Sequence, residues 1–406
     1  MDAEPDQRTI SREAARRFLV ARQGLQKGKG KRGALEAIRL LECVQIDPVR
    51  IVHRNHDLVL HARVSDYEPS YLEELLYKDR VAFEYWCNEK SIIPVEDFRY
   101  FRYRMHNYMD FHSPFFEYVK SKREELKDEI RRVLSAIEAN GPLCAKDFRG
   151  EAVDGKTANH VLNLLWDCGE VMIHRAEGNL RYYDLTERIL PKDLDVETPG
   201  REEYERFMVE KYMRAYGLID VRDWRFGWRS MKSSQRRAIV DGMVREGEVR
   251  RVKIEGVKHV YYVLDRYASA LEAAEDFPIE EKIHFIAPLD NLLWNRRAVS
   301  EIFDFDYAWE IYKVPEKRIY GDYVLPILYG ARFIGRMGPQ LDRASKTMII
   351  DSLILEKGCP EDVLVAELED ELGRFLRFHE ASQIKILNVK PNGLKRTLLA
   401  ELNRRA

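Results

Sequence analysis

Four short stretches, Asn140-Gly-Pro-Leu143, Ala145-Lys-Asp-Phe148, Gly169-Glu-Val171 and Asn179-Leu-Arg-Tyr-Tyr183, recur in the same order further along the chain. They return as Tyr216-Gly-Leu-Ile219, Val221-Arg-Asp-Trp224, Gly247-Glu-Val249 and His259-Val-Tyr-Tyr262. Gly141 and Gly217 lie 76 residues apart, as do Asp147 and Asp223, and Gly169 and Gly247 lie 78 apart. Similarity at a fixed offset marks a duplicated structural unit. Each copy reads as helix, short turn, helices, then a hairpin opened by Gly-Glu-Val and closed by a Tyr-Tyr strand. The alternation of the first copy predicts Val171, Ile173, Leu180 and Tyr182 on one hairpin face. Helix-turn-helix followed by a two-stranded hairpin is the winged-helix layout. Such units place a helix in a DNA groove and the wing on the backbone, although others contact protein.

Toward the N-terminus, the apolar spacing from Ile10 to Leu41 predicts helix, with Ser11 as its N-cap. The Gly/Lys-rich residues 23–32 interrupt it, and a second helix follows over residues 34–43. Val44-Gln-Ile-Asp47 alternates apolar and polar and stops at Pro48. That reads as a short strand with Gln45 and Asp47 on one face. Residues 1–65 thus compose a more degenerate winged-helix unit. Residues 66–127, rich in aromatics, read as a helical connecting segment. The two clear repeats occupy 128–198 and 199–274. Further on, residues 283–294 begin as a buried strand, and a hairpin turns at Tyr329-Gly330. Another strand spans residues 346–355, and a helix follows over residues 362–379. The fold class is therefore α+β: tandem winged helix-turn-helix units followed by a small β-barrel-like C-terminal domain over 275–406 with a flanking helix.

A chain of 406 residues exceeds one ordinary core. Its 45% hydrophobic and 33% charged residues fit a globular protein with a charged surface. No stretch approaches the ~18 to 20 apolar residues of a membrane helix, and the acidic opening MDAEPDQRTI does not read as a secretory signal. Cys43, Cys87, Cys144, Cys168 and Cys359 are odd in number and never spaced as CxxC, so neither a zinc site nor a disulfide framework is expected. They read as reduced thiols of a cytoplasmic protein. The net charge of −2 is segregated: residues 1–65 hold 13 Lys+Arg against 8 Asp+Glu, and residues 222–258 hold 11 against 5. Those basic parts, with Arg236, Arg237, Arg245, Arg250, Arg251 and Lys253 in the third unit, are candidate DNA faces. The plainer alternative is a pair of solvated helix faces.

No Walker A, Rossmann glycine fingerprint, HExxH or GxSxG motif occurs. His53, His56 and His61 fall near helical intervals, which suits packing or DNA contact better than a metal. No metal and no cofactor is expected. Gln45 and Asp47 are the best chemical candidates. An amide and a carboxylate two apart on a strand point the same way and can hold one water between them. Alone, a Q-x-D triplet is weak, and a capping Asp before Pro48 is the commoner explanation.

Cys43-Val-Gln-Ile-Asp-Pro-Val-Arg-Ile-Val-His-Arg-Asn-His56 resembles the "VQID…RAHH" stretch of the winged-helix DNA glycosylases, the AlkZ-like and YcaQ-like proteins. Phe83-Glu-Tyr-Trp-Cys-Asn-Glu-Lys-Ser-Ile-Ile-Pro94 is similar to their "FEYWAHEASLIP", Pro288-Leu-Asp-Asn-Leu-Leu-Trp-Asn-Arg-Arg297 to "PFDNLVWDRRR", and Lys317-Arg-Ile-Tyr-Gly-Asp-Tyr-Val-Leu-Pro326 to "KRxYGYYVLP". The resemblance implies a C-shaped clamp on duplex DNA. It also implies hydrolysis of the N-glycosidic bond of N7-alkylated purines, in some members with unhooking of interstrand crosslinks. It assigns the catalytic role to Gln45 and Asp47. Arg54 and His56 match the Arg and first His of "RAHH". The second His is Asp57 here, and the His of "WAH" is Asn88. Gly335-Arg-Met-Gly-Pro-Gln-Leu-Asp-Arg343 only partly follows "GRIDLKADR".

The expected DNA contacts are Arg50, Arg54, His56, Arg63, Lys317, Arg318, Tyr320 and Arg336, with Lys317, Arg318 and Tyr320 on or beside a hairpin reaching the lesion. The expected protein is a monofunctional glycosylase in alkylation repair. It would act as a monomer on double-stranded DNA with alkylated bases, cytoplasmic and nucleoid-associated, without a membrane. The alternatives are a non-catalytic winged-helix transcriptional regulator and a scaffold whose winged helices bind protein.

Overall fold

The computed structural model describes residues 8–111, 113–148, 153–223, 231–356 and 361–391. Strand β1 (Arg8–Ile10) leads into α1 (Arg12–Ala21). Ser11 between them is extended, and its hydroxyl accepts the Ala14 N–H at 3.0 Å, which caps the helix. The Gly/Lys-rich run ends α1, with Gly24 at φ +62°, and α2 (Gly30–Leu41) starts afresh. After α2 come β2 (Val44–Gln45), α3 (Asn55–His61), α4 (Pro69–Tyr77), β3 (Ala82–Cys87) and β4 (Glu89–Pro94). In this sheet β4 is central: β2 lies beside it, with Val44 opposite Ile92 and Gln45 opposite Ser91, and β3 lies on the other side.

The stretch expected to be wholly helical therefore contains a hairpin, and that hairpin carries the strand of Gln45. Phe83, Tyr85 and Cys87 pack into the core on every second residue. A two-residue period is a strand signal that aromatic richness had masked. This unit consequently runs past residue 65. The rest of the connecting stretch is helical, with α5 (Phe98–His106) and α6 (Pro114–Glu125).

The first repeat consists of α7 (Lys127–Asn140), α8 (Gly155–Asp167), β5 (Val171–Glu177), β6 (Leu180–Leu185) and α9 (Thr186–Ile189). The second consists of α10 (Arg201–Tyr216), α11 (Ser233–Arg245), β7 (Val249–Ile254), β8 (Val260–Leu264) and α12 (Asp265–Glu272). One bridge recurs in both: Leu143 pairs with Tyr183, and Ile219 with Tyr262. All four residues belong to the repeated stretches. β1 adds to β7 in parallel, a strand the sequence reading lacked. The expected hairpin face is also corrected. A bulge between Ile173 and Arg175 shifts the register, so Ile173 faces Tyr183 while Tyr182 faces Arg175. Tyr183, not Tyr182, is the buried one. Trp224 of the repeat lies outside the described residues, as does Cys359.

The C-terminal part runs β9 (Ile283–Phe285), α13 (Asn291–Trp294), α14 (Arg296–Phe303), β10 (Leu325–Tyr329), β11 (Arg332–Asp342), β12 (Thr347–Leu355), α15 (Glu361–Phe378) and β13 (Gln383–Lys390). Its strands lie in the order β13-β12-β11-β10-β9, antiparallel except for β12 with β13. This sheet is not a separate body. Phe285, Ile327, Met348 and Phe375 share one core with Leu58, Val59 and Leu72 of α3 and α4. The catalytic candidates therefore sit at a seam that burial of apolar surface holds shut.

Candidate active site

Gln45 and Asp47 line the same open cleft, of about 410 Å³, between the first unit and the segment from Pro288 to Tyr312. Trp86, Asn88 and Lys90 of the β3–β4 hairpin form one wall, and Leu289, Trp294, Trp309 and Tyr312 form the other. Aromatic and apolar side chains share the lining with polar and charged ones, Glu89 and Arg296 among them.

Three asparagines fix the geometry. Asn55 on α3 donates to the Gln45 carbonyl at 3.0 Å and accepts the Leu289 N–H at 3.1 Å, so it ties strand to opposite wall. Asn291 donates to the carbonyls of Leu41 and Cys43, at 2.8 and 3.2 Å. Asn88 donates to Gln45 Oε1 at 3.3 Å. With that oxygen engaged, Gln45 has its Nε2 amide group left as a donor. Asp47 follows the strand. Its Oδ1 accepts the Val49 N–H at 2.9 Å across Pro48, while among the described residues no donor is recorded at Oδ2. Burial pushes its carboxyl above the usual aspartate range, opposed by the Val49 hydrogen bond and by His56. The result is a donor and a basic acceptor in one cleft.

Lys90 was not singled out by sequence. Burial in the cleft wall lowers its ammonium to about 8, against the pull of Glu84. The group sits 3.8 Å from Glu84 and 4.4 Å over the Trp166 ring.

Several expected DNA contacts have other work. Arg63 is 1% exposed and makes a two-pronged pair with Asp290 at 2.7 and 3.0 Å, completed by the Val59 carbonyl and Gln23. It is a core residue, because Asp290 of the wall segment needs a counter-ion. His56 is buried and lines a second cavity of about 260 Å³ with Arg50, Arg54 and Arg181, apart from Gln45 and Asp47. Burial lowers its pKa, so the neutral ring is favoured. Arg336 is likewise inside: it pairs with Glu356, donates to the Asp306 carbonyl at 2.6 Å and lies over the rings of Phe305 and Tyr320. Lys317, Arg318 and Tyr320 lie on the loop between α14 and β10, before the strand, rather than on a hairpin. Arg318 braces that loop through Asp322 and the Lys313 carbonyl. Lys317 and Arg50 are exposed, and Arg54 is half-buried.

In the third unit Arg236 is buried against the Met231 carbonyl, whereas Arg237, Arg245 and Lys253 face out. Among the described residues no group of three His, Cys, Asp or Glu is placed to hold a metal, and no helix is long and apolar enough to cross a membrane.

The chain combines two repeated helix–hairpin units of winged-helix layout, a fold that commonly binds DNA, with a cleft outside them that holds an amide, a carboxylate and three tryptophans. Residues 38–378 match the family described as DNA glycosylase AlkZ-like, which is most of the chain, and the protein belongs to that family. It is a DNA glycosylase of DNA repair. Its fold is similar to that of Streptomyces sahachiroi DNA glycosylase AlkZ, with a TM-score of 0.64 and 16% identity, over 94% of this chain and 100% of that one.

Proposed function

We propose that this glycosylase hydrolyses the N-glycosidic bond of N7-alkylated purines in duplex DNA, interstrand crosslinks included, and that Gln45 and Asp47 carry the reaction. The observation that supports this most directly is the pairing of a fixed amide donor with a carboxylate of raised basicity in one cleft. N7 alkylation places a positive charge on the base. Cleavage of the bond to C1′ returns an electron pair to that base, which leaves neutral and needs little acid assistance. The sugar becomes cationic. Asp47 stabilises that cation and takes the proton of the attacking water, while Gln45 holds the water through its amide. Positioning of water is the main demand on the protein.

The cleft is open rather than enclosed, which suits a base tied to the opposite strand that cannot be flipped fully out. Arg50, Arg54, Lys317 and the outward arginines of the third unit supply salt-dependent contacts to phosphate. We read the protein as a monomer; that it leaves an abasic site is supported by Lys90, the lysine lining the cleft, whose ammonium lies against Glu84 and Trp166.

The test is a duplex with one N7-methylguanine, incubated with protein and then treated with alkali. Wild type gives a strand break at that site; Asp47→Asn and Gln45→Ala bind the duplex but give none. Absence of cleavage by wild type, both here and on a nitrogen-mustard crosslink, refutes the reading. A break that appears without alkali, is trapped by borohydride and disappears in Lys90→Gln refutes the monofunctional part alone.

A further inference from the structure

Among the described residues, the large hydrophobic side chains left exposed are Met109, Tyr118, Tyr312, Val314, Ile319 and Leu387. Half of them fall within eight residues, on the loop between α14 and β10. Tyr312 is 82% exposed, Val314 53% and Ile319 72%. Soluble proteins seldom cluster such residues in the open unless something covers them in use.

The loop is built the wrong way round for an ordinary surface turn. Two of its charged groups, Glu310 and Arg318, turn inward and brace the backbone, while Lys313, Glu316 and Lys317 stay at the surface. Glu310, itself 2% exposed, accepts the backbone N–H groups of Ile319 and Tyr320, both at 2.8 Å, and the Lys313 ammonium at 2.8 Å. Arg318 donates to the Lys313 carbonyl at 2.8 Å, and the Ser352 hydroxyl donates to the Tyr320 carbonyl at 3.0 Å. Tyr312 meets Trp309 edge-on, with centroids 5.4 Å apart, and both rings line the Gln45–Asp47 cleft.

We propose that this loop is a wedge that enters the base stack beside the nucleotide being excised, with Tyr312, Val314 and Ile319 as the inserted side chains. The proposal rests on the glycosylase reading of the cleft. Apolar side chains pushed between base steps unstack them and open the duplex. A wedge must be rigid, apolar at its tip, adjacent to the reacting cleft and flanked by cations for the phosphates. The loop meets each condition, with Lys317 exposed beside the tip.

The test uses a duplex with 2-aminopurine next to an uncleavable abasic-site analogue, whose fluorescence rises when the stack opens. Wild type is expected to raise it several-fold, and the triple variant Tyr312→Ser, Val314→Ser, Ile319→Ser is expected not to. Because the three side chains are exposed, the variant keeps its thermal midpoint. Excision of N7-methylguanine from perfect duplex falls by roughly 10- to 100-fold, while excision opposite a mismatch, where the stack is already loosened, falls less. A variant that keeps the fluorescence rise, or a wild type that never shows it, overturns the wedge. A rise that depends on the three residues, in a protein that excises nothing, upholds the wedge and refutes the substrate reading instead.

Discussion

Removing the Asp290 carboxylate is expected to destabilise the protein far more than removing any exposed charge. Arg63 and Asp290 are 1% and 0% exposed and doubly bonded to each other. Asp290→Ala leaves a guanidinium in the core with no counter-ion, a loss of about 3–5 kcal/mol. It also removes the cap on the Leu292 N–H, held at 3.0 Å, for about 1 kcal/mol more. Arg63→Met/Asp290→Leu removes both charges together. Its cost is the cap and the two acceptors that Arg63 served, Val59 O and Gln23 Oε1, or about 1–3 kcal/mol. The double variant should therefore be more stable than Asp290→Ala. Urea unfolding followed by tryptophan fluorescence reads this: with a slope of about 3 kcal/mol per M, Asp290→Ala moves the midpoint down by about 1 M or more. A third protein, Arg63→Met alone, separates a core role from a DNA role. A phosphate contact at Arg63 would lower the slope of log K against log salt by about 0.9 when removed. If Arg63→Met changed that slope and left the urea midpoint alone, the reasoning from burial would be refuted.

Asp47→Asn is expected to lose about 10²-fold or more in excision, with a thermal midpoint equal to or above wild type. The raised carboxyl means folding favours its neutral form, so the ionised Asp47 costs stability above its folded pKa, and the amide avoids that cost while still accepting from Val49. Excision should decline as pH falls through that raised pKa, and a profile that is flat down to pH 4 would speak against Asp47 as the base. Asn88→Ala frees the Gln45 amide and should lower excision by about tenfold, the worth of one hydrogen bond, with DNA affinity unchanged by gel shift. His284 and His379 are both held down to about 3, chiefly by burial. Their folded values lie below the unfolded value near 6.5, so the stability they allow is complete above about pH 6.5 and drains as pH falls toward 3. Urea midpoints at pH 7 and pH 5 measure it, and substitution of both by glutamine should flatten the difference.

What the sequence made legible was what depends on neighbours close along the chain. The Ser11 cap, the break before α2, the turn at Gly330 and the repeated helix–hairpin order all follow from a few residues of local chemistry. Gln45 and Asp47 do share a cleft, but not by the expected alternation: β2 ends at Gln45, Asp47 lies beyond the strand, and Ile46 between them lines the cleft as well. The bulge after Ile173 was illegible, since one extra residue reverses the face of everything beyond it without a distinctive residue type. Arg63 was misassigned for a related reason. An arginine in a basic segment looks like a DNA contact until its partner is seen, and Asp290 lies 227 residues away. The β3–β4 hairpin hid because both faces of β3 are covered: Glu84 is buried against Tyr77 and Arg181 and Trp86 is half-buried, so no exposed polar face alternates with the apolar one.

The motif resembling "PFDNLVW" gains a physical account from this. Asp290 neutralises Arg63, Asn291 holds the end of α2, the Leu289 N–H donates to Asn55, and the Trp294 indole donates to the Leu289 carbonyl at 2.8 Å. Each bond joins the far wall of the cleft to itself or to elements flanking β2. The segment is therefore the part that holds one wall at a fixed distance from the other, though it contributes no group to the proposed chemistry. A site that must place a water between an amide and a carboxylate tolerates little play, and a seam between two parts of a fold is where play would be greatest. Polar pins buried at such a seam are directional where apolar burial is not, which accounts for the charged and amide side chains that stand in the core along it.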